Sequence, residues 1–271
     1  MPELPEVETT RRGIAPHILG RTITGAVVRN RQLRWPVPRS LGKTLTGRQV
    51  KSVDRRGKYL LIGLDTGALI LHLGMSGSLR IVKPDTAHEK HDHVDIVFDN
   101  GRCLRLRDPR RFGSIHYTRD DPLDHSLLTS LGPEPLEDTF NGDYLYARSR
   151  KRKQSVKTFI MDSRIVTGVG NIYASEAMFL AGIHPARPAG RISQRRYRAL
   201  AEAVKLVLKL AIEKGGTTLR DFTSSEGRPG YFRNELNVYD REGEECKLCG
   251  AAIRQRRIGQ RSAFYCSNCQ T

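Results

Sequence analysis

Two groups of residues far apart in the chain carry chemistry of their own. The first is Pro2-Glu3. Once Met1 is removed, as the small proline next to it favours, the Pro2 nitrogen is a secondary amine beside a carboxylate. An α-amino group titrates near ~7.7–8.0, so part of it is neutral and nucleophilic at physiological pH. A secondary amine that condenses with an aldehyde-level carbon gives an iminium with no N–H to lose, which persists as an electron sink. With Met1 attached, the same nitrogen is an inert amide, so this chemistry is expected only after processing. Pro5, Glu6 and Glu8 also suit the first turn of a helix, and a plain helix leader remains the alternative on these residues alone. The second group is Cys246-x2-Cys249 and Cys266-x2-Cys269, with sixteen residues between the pairs. That spacing predicts one structural Zn2+ held by Cys246, Cys249, Cys266 and Cys269. Cys103 falls outside it and reads as a small buried strand residue.

Between the cysteine pairs, Arg254 to Arg261 contains several guanidiniums and no acid. A hairpin presenting arginines suits phosphate contact, and a merely soluble hairpin is the alternative. His72-Leu-Gly-Met75-Ser-Gly77 and Asp108-Pro-Arg110-Arg111-Phe112-Gly113 read as loops at strand ends. Met75 and Phe112 there suit either a wedge into a base stack or a place in the core. His91-Asp-His93 suggests a polar loop leading into a strand ahead of a metal site. Gly168-Val-Gly-Asn171 precedes a helix and favours a bound phosphate, although a helix start alone explains it. It lacks the lysine of a nucleotide-triphosphate loop. The Thr-, Ser- and Gly-rich run from Thr217 to Tyr231 reads as a lid or as an ordinary connection.

The whole composition fits such chemistry. Lys and Arg number 46 against 29 Asp and Glu in 271 residues, a formal charge of +17, while 38% hydrophobic residues still allow real cores. A folded chain this basic points to a polyanionic partner, nucleic acid ahead of membrane. No run reaches the ~18 apolar residues of a membrane span, and the acidic start does not resemble a signal peptide. The expected location is the cytoplasm, where clustered cysteines bind metal rather than pair.

These groups need elements to position them. The first half reads as short strands, among them Tyr59 to Leu64, Ala68 to Leu73, Val94 to Phe98 and Cys103 to Arg107. Hairpin turns at Asp65-Thr-Gly67 and Asp99-Asn-Gly101 separate them. A helix from about Pro5 to Ile18 precedes them, weakened by Gly13 and Pro16. Beyond Leu131-Gly-Pro-Glu-Pro135 the pattern turns helical. Asn171 is expected to cap a helix over Ile172 to Leu180, with Gly182 as its stop. Ser193 opens a longer helix with Leu200, Val204, Val207, Leu208 and Ala211 on one face, ended by Gly215-Gly216. The fold class is α+β: an antiparallel β-sandwich with flanking helices, then a helical domain ending in a β-hairpin zinc finger. The expected divisions are a sandwich at 1–133, a linker at 134–150, a helical domain at 151–236 and a finger at 237–271.

Taken in order, Pro-Glu-Leu-Pro-Glu-Val-Glu, His-Leu-Gly-Met-Ser-Gly, Asp-Pro-Arg-Arg-Phe-Gly, Gly-Asn-Ile-Tyr-Ala-Ser-Glu and the terminal cysteines span the chain. Together they closely resemble the bacterial formamidopyrimidine-DNA glycosylases. The resemblance implies a helix–two-turn–helix element in the second domain, a monomer, and damaged double-stranded DNA lying across a basic cleft. It implies that Pro2 attacks C1′ of an oxidised purine nucleotide and that Glu3 moves protons. It implies that Lys58 and Arg261 contact phosphates and supply protons for β- and δ-elimination, and that His72 and Asn171 grip phosphates. Met75, Arg110 and Phe112 would fill the vacated stack, and Arg111, His91 and Lys157 would also touch DNA. Glu6 and Glu176 would be supporting acids, and Thr217, Arg220 and Tyr231 would belong to a lid over the flipped base.

Arg220 and Arg228 stand where lysines are common in that lid, which leaves base preference open. The endonuclease VIII relatives, which prefer oxidised pyrimidines, typically have Gly where this chain has Leu4; they are the nearest alternative. A non-catalytic zinc-dependent DNA-binding protein fits the charge and the finger but leaves Pro2-Glu3 unexplained.

Overall fold

The computed structural model of the chain describes residues 2–217 and 232–271. These form two compact units, residues 2–129 with 214–217, and residues 130–213 with 232–271.

The first unit opens with helix α1 (Leu4–Ile18). An interior Gly13 costs about 1 kcal/mol of helix propensity. The helix nevertheless continues because Val7, Ile14 and Ile18 are buried in the core, and Pro16 falls in the last turn, where few amide bonds remain to be lost. Strands β1 (Ile23–Val28), β2 (Val50–Arg56), β3 (Tyr59–Leu64) and β4 (Ala68–His72) follow, with the short helix α2 (Leu41–Leu45) between β1 and β2. Strands β5 (Ser78–Val82), β6 (Asp92–Phe98), β7 (Cys103–Arg107) and β8 (Ser114–Thr118) complete the unit. They make two four-stranded antiparallel sheets, ordered β1-β6-β7-β5 and β2-β3-β4-β8. Leu60, Ile62, Leu69, Leu71, Val94, Ile96, Leu104 and Leu106 fill the core. The turns at residues 65–67 and 99–101 form as expected, and Cys103 is buried at the start of β7. His93 lies inside β6 and is buried, and its Nε2 donates to the Asp108 carbonyl at 2.8 Å.

The second unit contains α3 (Gly142–Ser149), α4 (Val156–Ile160), α5 (Asn171–Leu180) and α6 (Gln194–Glu213), then the hairpin β9 (Ile253–Ile258) and β10 (Arg261–Cys266). Two sequence expectations change here. The stretch expected as a linker contains α3, which packs on α6 and is capped by the Asn141 side chain accepting the Tyr144 amide at 2.9 Å. Asn171 is the first helical residue of α5 rather than its cap. Gly170, in an extended conformation, takes the capping position. Glu176, Ala177 and Phe179 of that helix are buried. Helix α6 begins after Ser193, whose carbonyl accepts the Tyr197 amide, and buries Leu200, Val204, Val207, Leu208 and Ala211. Among the described residues, no helix is long and apolar enough to cross a membrane.

Candidate functional site

The start of α1 is held by reciprocal caps. Glu3 is the N-cap; its side chain accepts from the N3 amide, and the Glu6 carboxylate accepts the Glu3 amide at 2.8 Å. The other Glu6 oxygen accepts the Thr217 amide at 2.8 Å. Gly216 allows that approach, since at φ +82° an added Cβ would lie 3.0 Å from Glu6 Oε1. Glu6 is 1% exposed, and its carboxylate is engaged in joining residue 3 to residue 217. Pro2, Glu3, Glu6 and Thr217 are thus brought together, all of them buried. Arg220 and Tyr231, the other two residues expected in a lid, lie outside the described residues, as does Met1.

Lys58 sits in the two-residue turn between β2 and β3. Tyr59 pairs with His72 across β3 and β4, with ring centroids 4.7 Å apart. The Gly74 amide donates to His72 Nδ1 at 3.0 Å. Burial, then the nearby Lys58 and Arg34 cations, push His72 down to about 4. The imidazole is therefore neutral at pH 7, and with Nδ1 accepting, its proton is on Nε2. Lys58 and His72 thus offer a cation and a neutral donor side by side, a combination suited to a phosphate.

The loops carrying Met75 and Phe112 share an anchor, Asp108, which is 0% exposed. Its carboxylate accepts the Ser76 hydroxyl at 2.7 Å and the Gly113 amide at 2.7 Å. The Arg110 amide donates to Ser76 Oγ at 3.1 Å, and the His91 carbonyl accepts the Asp108 amide at 3.0 Å. Gly74, at φ +64°, lies against the other loop: an added Cβ would be 2.4 Å from the Phe112 carbonyl carbon. Met75 is half-buried, while Phe112 is 43% exposed with the Arg110 guanidinium 5.2 Å from its ring centroid. Exposure of an aromatic ring on an anchored loop favours the wedge over the core for Phe112. Arg110 and Arg111 are exposed beside it, and His91 is half-buried. Asp108 has no part in the sequence reading beyond its place in the motif; a lone acid among arginines and glycines is the signal that could have found it.

In the second unit, the Glu176 carboxylate accepts the amides of Asn237, Val238 and Tyr239 at 2.8, 2.9 and 2.9 Å, and the Asn237 side chain at 3.0 Å. It holds the approach to the finger. The Asn171 side chain is partly buried, with Oδ1 unpartnered. Lys157, expected to touch DNA, is 1% exposed, and its Nζ donates to the Ser262 carbonyl at 2.5 Å. It supports the finger hairpin from below, because that carbonyl gives the buried ammonium an acceptor. Arg261 begins β10 after the Gly259-Gln260 turn and is exposed, as are Arg254, Arg256 and Arg257 on β9.

Cys246, Cys249, Cys266 and Cys269 place their sulfurs within 4.8 Å of one another. Sulfur pairs lie 3.9 Å (Cys246, Cys269) and 3.5 Å (Cys249, Cys266) apart. A tetrahedron with Zn–S bonds of ~2.3 Å has edges of roughly 3.8 Å, so the donor set fits zinc. The four thiolates hold one structural zinc, beside a small core of Phe179, Val238, Ile253 and Phe264.

Residues 1–115 match the family model for the formamidopyrimidine-DNA glycosylase N-terminal domain, and residues 131–223 match its H2TH domain. Residues 243–271 match the zinc finger found in FPG and IleRS. The chain belongs to the formamidopyrimidine-DNA glycosylase family. It is a DNA glycosylase, a DNA-binding enzyme of DNA repair with a zinc finger. It is 60% identical over 270 residues to the formamidopyrimidine-DNA glycosylase of Nitrosococcus oceani, covering 100% of both chains. It is 57% identical over 270 residues to that of Stutzerimonas stutzeri, again with 100% of both covered. Among solved structures of the family, that of a Lactococcus lactis FPG point mutant with Fapy-dG-containing DNA matches with a TM-score of 0.93 at 33% identity, covering 100% of both chains. The Thermus thermophilus FPG structure gives 0.89 at 38% identity, over 99% of this chain and 98% of that one.

Proposed function

We propose that this enzyme excises oxidised purines, 8-oxoguanine and formamidopyrimidines, from duplex DNA and nicks the strand at the abasic site through a Schiff base on Pro2. The observation that carries this reading is the fixed start of α1, where Glu6 holds the Glu3 amide at 2.8 Å and Pro2 precedes the cap. After Met1 is removed, the Pro2 nitrogen attacks C1′, and the bond from C1′ to the base breaks. The base leaves with a proton, the sugar ring opens, and a C1′ iminium forms. Glu3 assists ring opening as a proton donor and then takes a proton from C2′. Loss of that proton breaks the C3′–O bond, and a second elimination breaks the C5′–O bond. Lys58 and Arg261 supply protons to the departing phosphates, and water releases the sugar fragment from Pro2.

Lys58, His72, Asn171 and Arg261 hold the phosphates around the extruded nucleotide, while Met75, Arg110 and Phe112 occupy the emptied stack. Extrusion costs a few kcal/mol of unstacking, which those contacts offset. The zinc keeps the Arg261 hairpin in place and takes no chemical step.

Borohydride reduction during incubation with an 8-oxoguanine duplex tests the mechanism. The processed protein is expected to be trapped covalently on DNA, and a Pro2→Gly variant, which retains only a primary amine, to trap less. No adduct from protein lacking Met1 rejects the Schiff base. Faster turnover of a thymine glycol duplex would instead favour the oxidised-pyrimidine alternative. That comparison is pertinent because Lactococcus lactis FPG has been solved with oxidised-pyrimidine-containing DNA.

A further inference from the structure

One cluster in the first unit is not accounted for by these roles. Glu8, on α1, is buried and accepts from Arg11 at 2.8 and 3.0 Å, from Arg12 at 2.8 Å and from Arg55 Nε at 3.3 Å. The first two arginines are one helical turn away, and Arg12 is largely exposed, so those pairs are ordinary surface-helix contacts. Arg55 differs. It comes from the end of β2, and its Nη1 donates to the Gly57 carbonyl at 2.9 Å. That carbonyl belongs to the peptide unit that continues into Lys58. Because a peptide is planar, fixing its oxygen fixes the plane from which the Lys58 backbone departs. Arg11 adds a parallel tie, donating from Nη1 to the Val53 carbonyl of β2 at 3.1 Å.

We propose that Arg55, oriented by Glu8, is a positioning residue that spans from α1 to the Gly57–Lys58 peptide and so sets Lys58 relative to Pro2 and Glu3. The inference rests on Lys58 being a phosphate contact. An ion pair at this depth adds little net stability, so the geometry it fixes is its main consequence. The planar fork of arginine is required, since one guanidinium reaches a carboxylate and a carbonyl at once. A lysine at position 55 has all its donors on one freely rotating nitrogen and lacks the fixed spacing with which Nε and Nη1 of Arg55 reach the two acceptors.

The salt dependence of binding to an abasic-analogue duplex tests this, in Lys58→Ala, Arg55→Ala and the double variant, with thermal unfolding as the check on folding. Lys58→Ala is expected to reduce the slope of log affinity against log salt by about 0.9, the value for one phosphate contact. Arg55→Ala is expected to give the same reduction, and the double variant no more than Lys58→Ala alone. Additive slopes would make Arg55 a phosphate contact itself and overturn positioning. A wild-type slope in Arg55→Ala would overturn it too. Glu8→Gln separates the readings further and serves if Arg55→Ala does not fold. It removes a negative charge, so simple electrostatics predicts tighter binding, whereas positioning predicts weaker binding with the Lys58 slope lost. A wild-type slope in Lys58→Ala would instead remove the phosphate role of Lys58 on which the inference depends.

Discussion

The Ser76 hydroxyl donates to the Asp108 carboxylate at 2.7 Å, and this bond joins the loop of Met75 to the loop of Phe112. The other carboxylate oxygen accepts the Gly113 amide, so one buried acid sets the spacing of both loops. Asp108→Asn keeps the shape but turns an amide donor toward groups that already donate. Leaving such groups unsatisfied costs about 1–3 kcal/mol, a fall of several degrees in the unfolding temperature of the first unit. Affinity for a duplex carrying an abasic analogue should fall about tenfold, roughly 1.4 kcal/mol, as the wedge loses its register. Titration and thermal unfolding together check this. Lower stability with undiminished affinity would show that the loops do not need the tie.

His72 leads to a prediction about pH. Burial and the adjacent Lys58 and Arg34 push its folded value to about 4, below the ordinary 6.5. Below pH 6.5 the unfolded chain takes up a proton that the folded site refuses. The stability contributed by neutral His72 is therefore complete above about 6.5 and falls as pH drops toward 4, below which it changes no further. A His72→Gln variant should lose that part of the acid dependence. Imidazole titration followed by NMR gives the direct reading, and a midpoint near 6.5 in the folded protein would contradict the neutral donor.

How much of the molecule is legible in its sequence depends on the range of each interaction. Alternating strands such as residues 94–98, the buried face of α6 and the cysteine spacing are local patterns, and they are readable. Asn171 reads as a cap because Asn and Gly both favour that position, yet the backbone places Gly170 there instead. Helix α3 is hidden in a supposed linker because its eight residues are too short to show a periodic face, although Asn141 is a cap signal. The role of Asp108 depends on Ser76, 32 positions away, which no local pattern reveals. Lys157 looks like one more cation in a basic chain; only the fold shows it buried against Ser262.

Zinc removal should separate the two units. Cys246 and Cys266 are buried beside Phe179, Val238 and Phe264, so loss of the metal opens a core as well as a ligand cage. Chelation, or Cys249→Ser, is expected to release one zinc per chain, and DNA affinity should fall with it. The first unit, whose core contains none of these residues, should keep its own unfolding transition. Metal analysis, DNA titration and calorimetry on the same samples check all parts. Unchanged affinity after zinc loss would show that the finger does not bind DNA.

Lys157, on α4 beneath the finger hairpin, and Arg261, on the hairpin itself, offer a contrast. Lys157 is buried with its ammonium on the Ser262 carbonyl, while Arg261 is exposed at the head of β10. Lys157→Met keeps the aliphatic stem but leaves that carbonyl without this donor, for a loss of about 1–3 kcal/mol in the second unit. Its salt slope for DNA binding should match wild type, because no phosphate contact is lost. Arg261→Ala should do the reverse, leaving stability nearly unchanged and lowering the slope by about 0.9. Affinities over a salt series, paired with unfolding curves, distinguish a support from a contact. A reduced slope in Lys157→Met with unchanged stability would mean that the lysine leaves Ser262 to reach a phosphate when DNA binds.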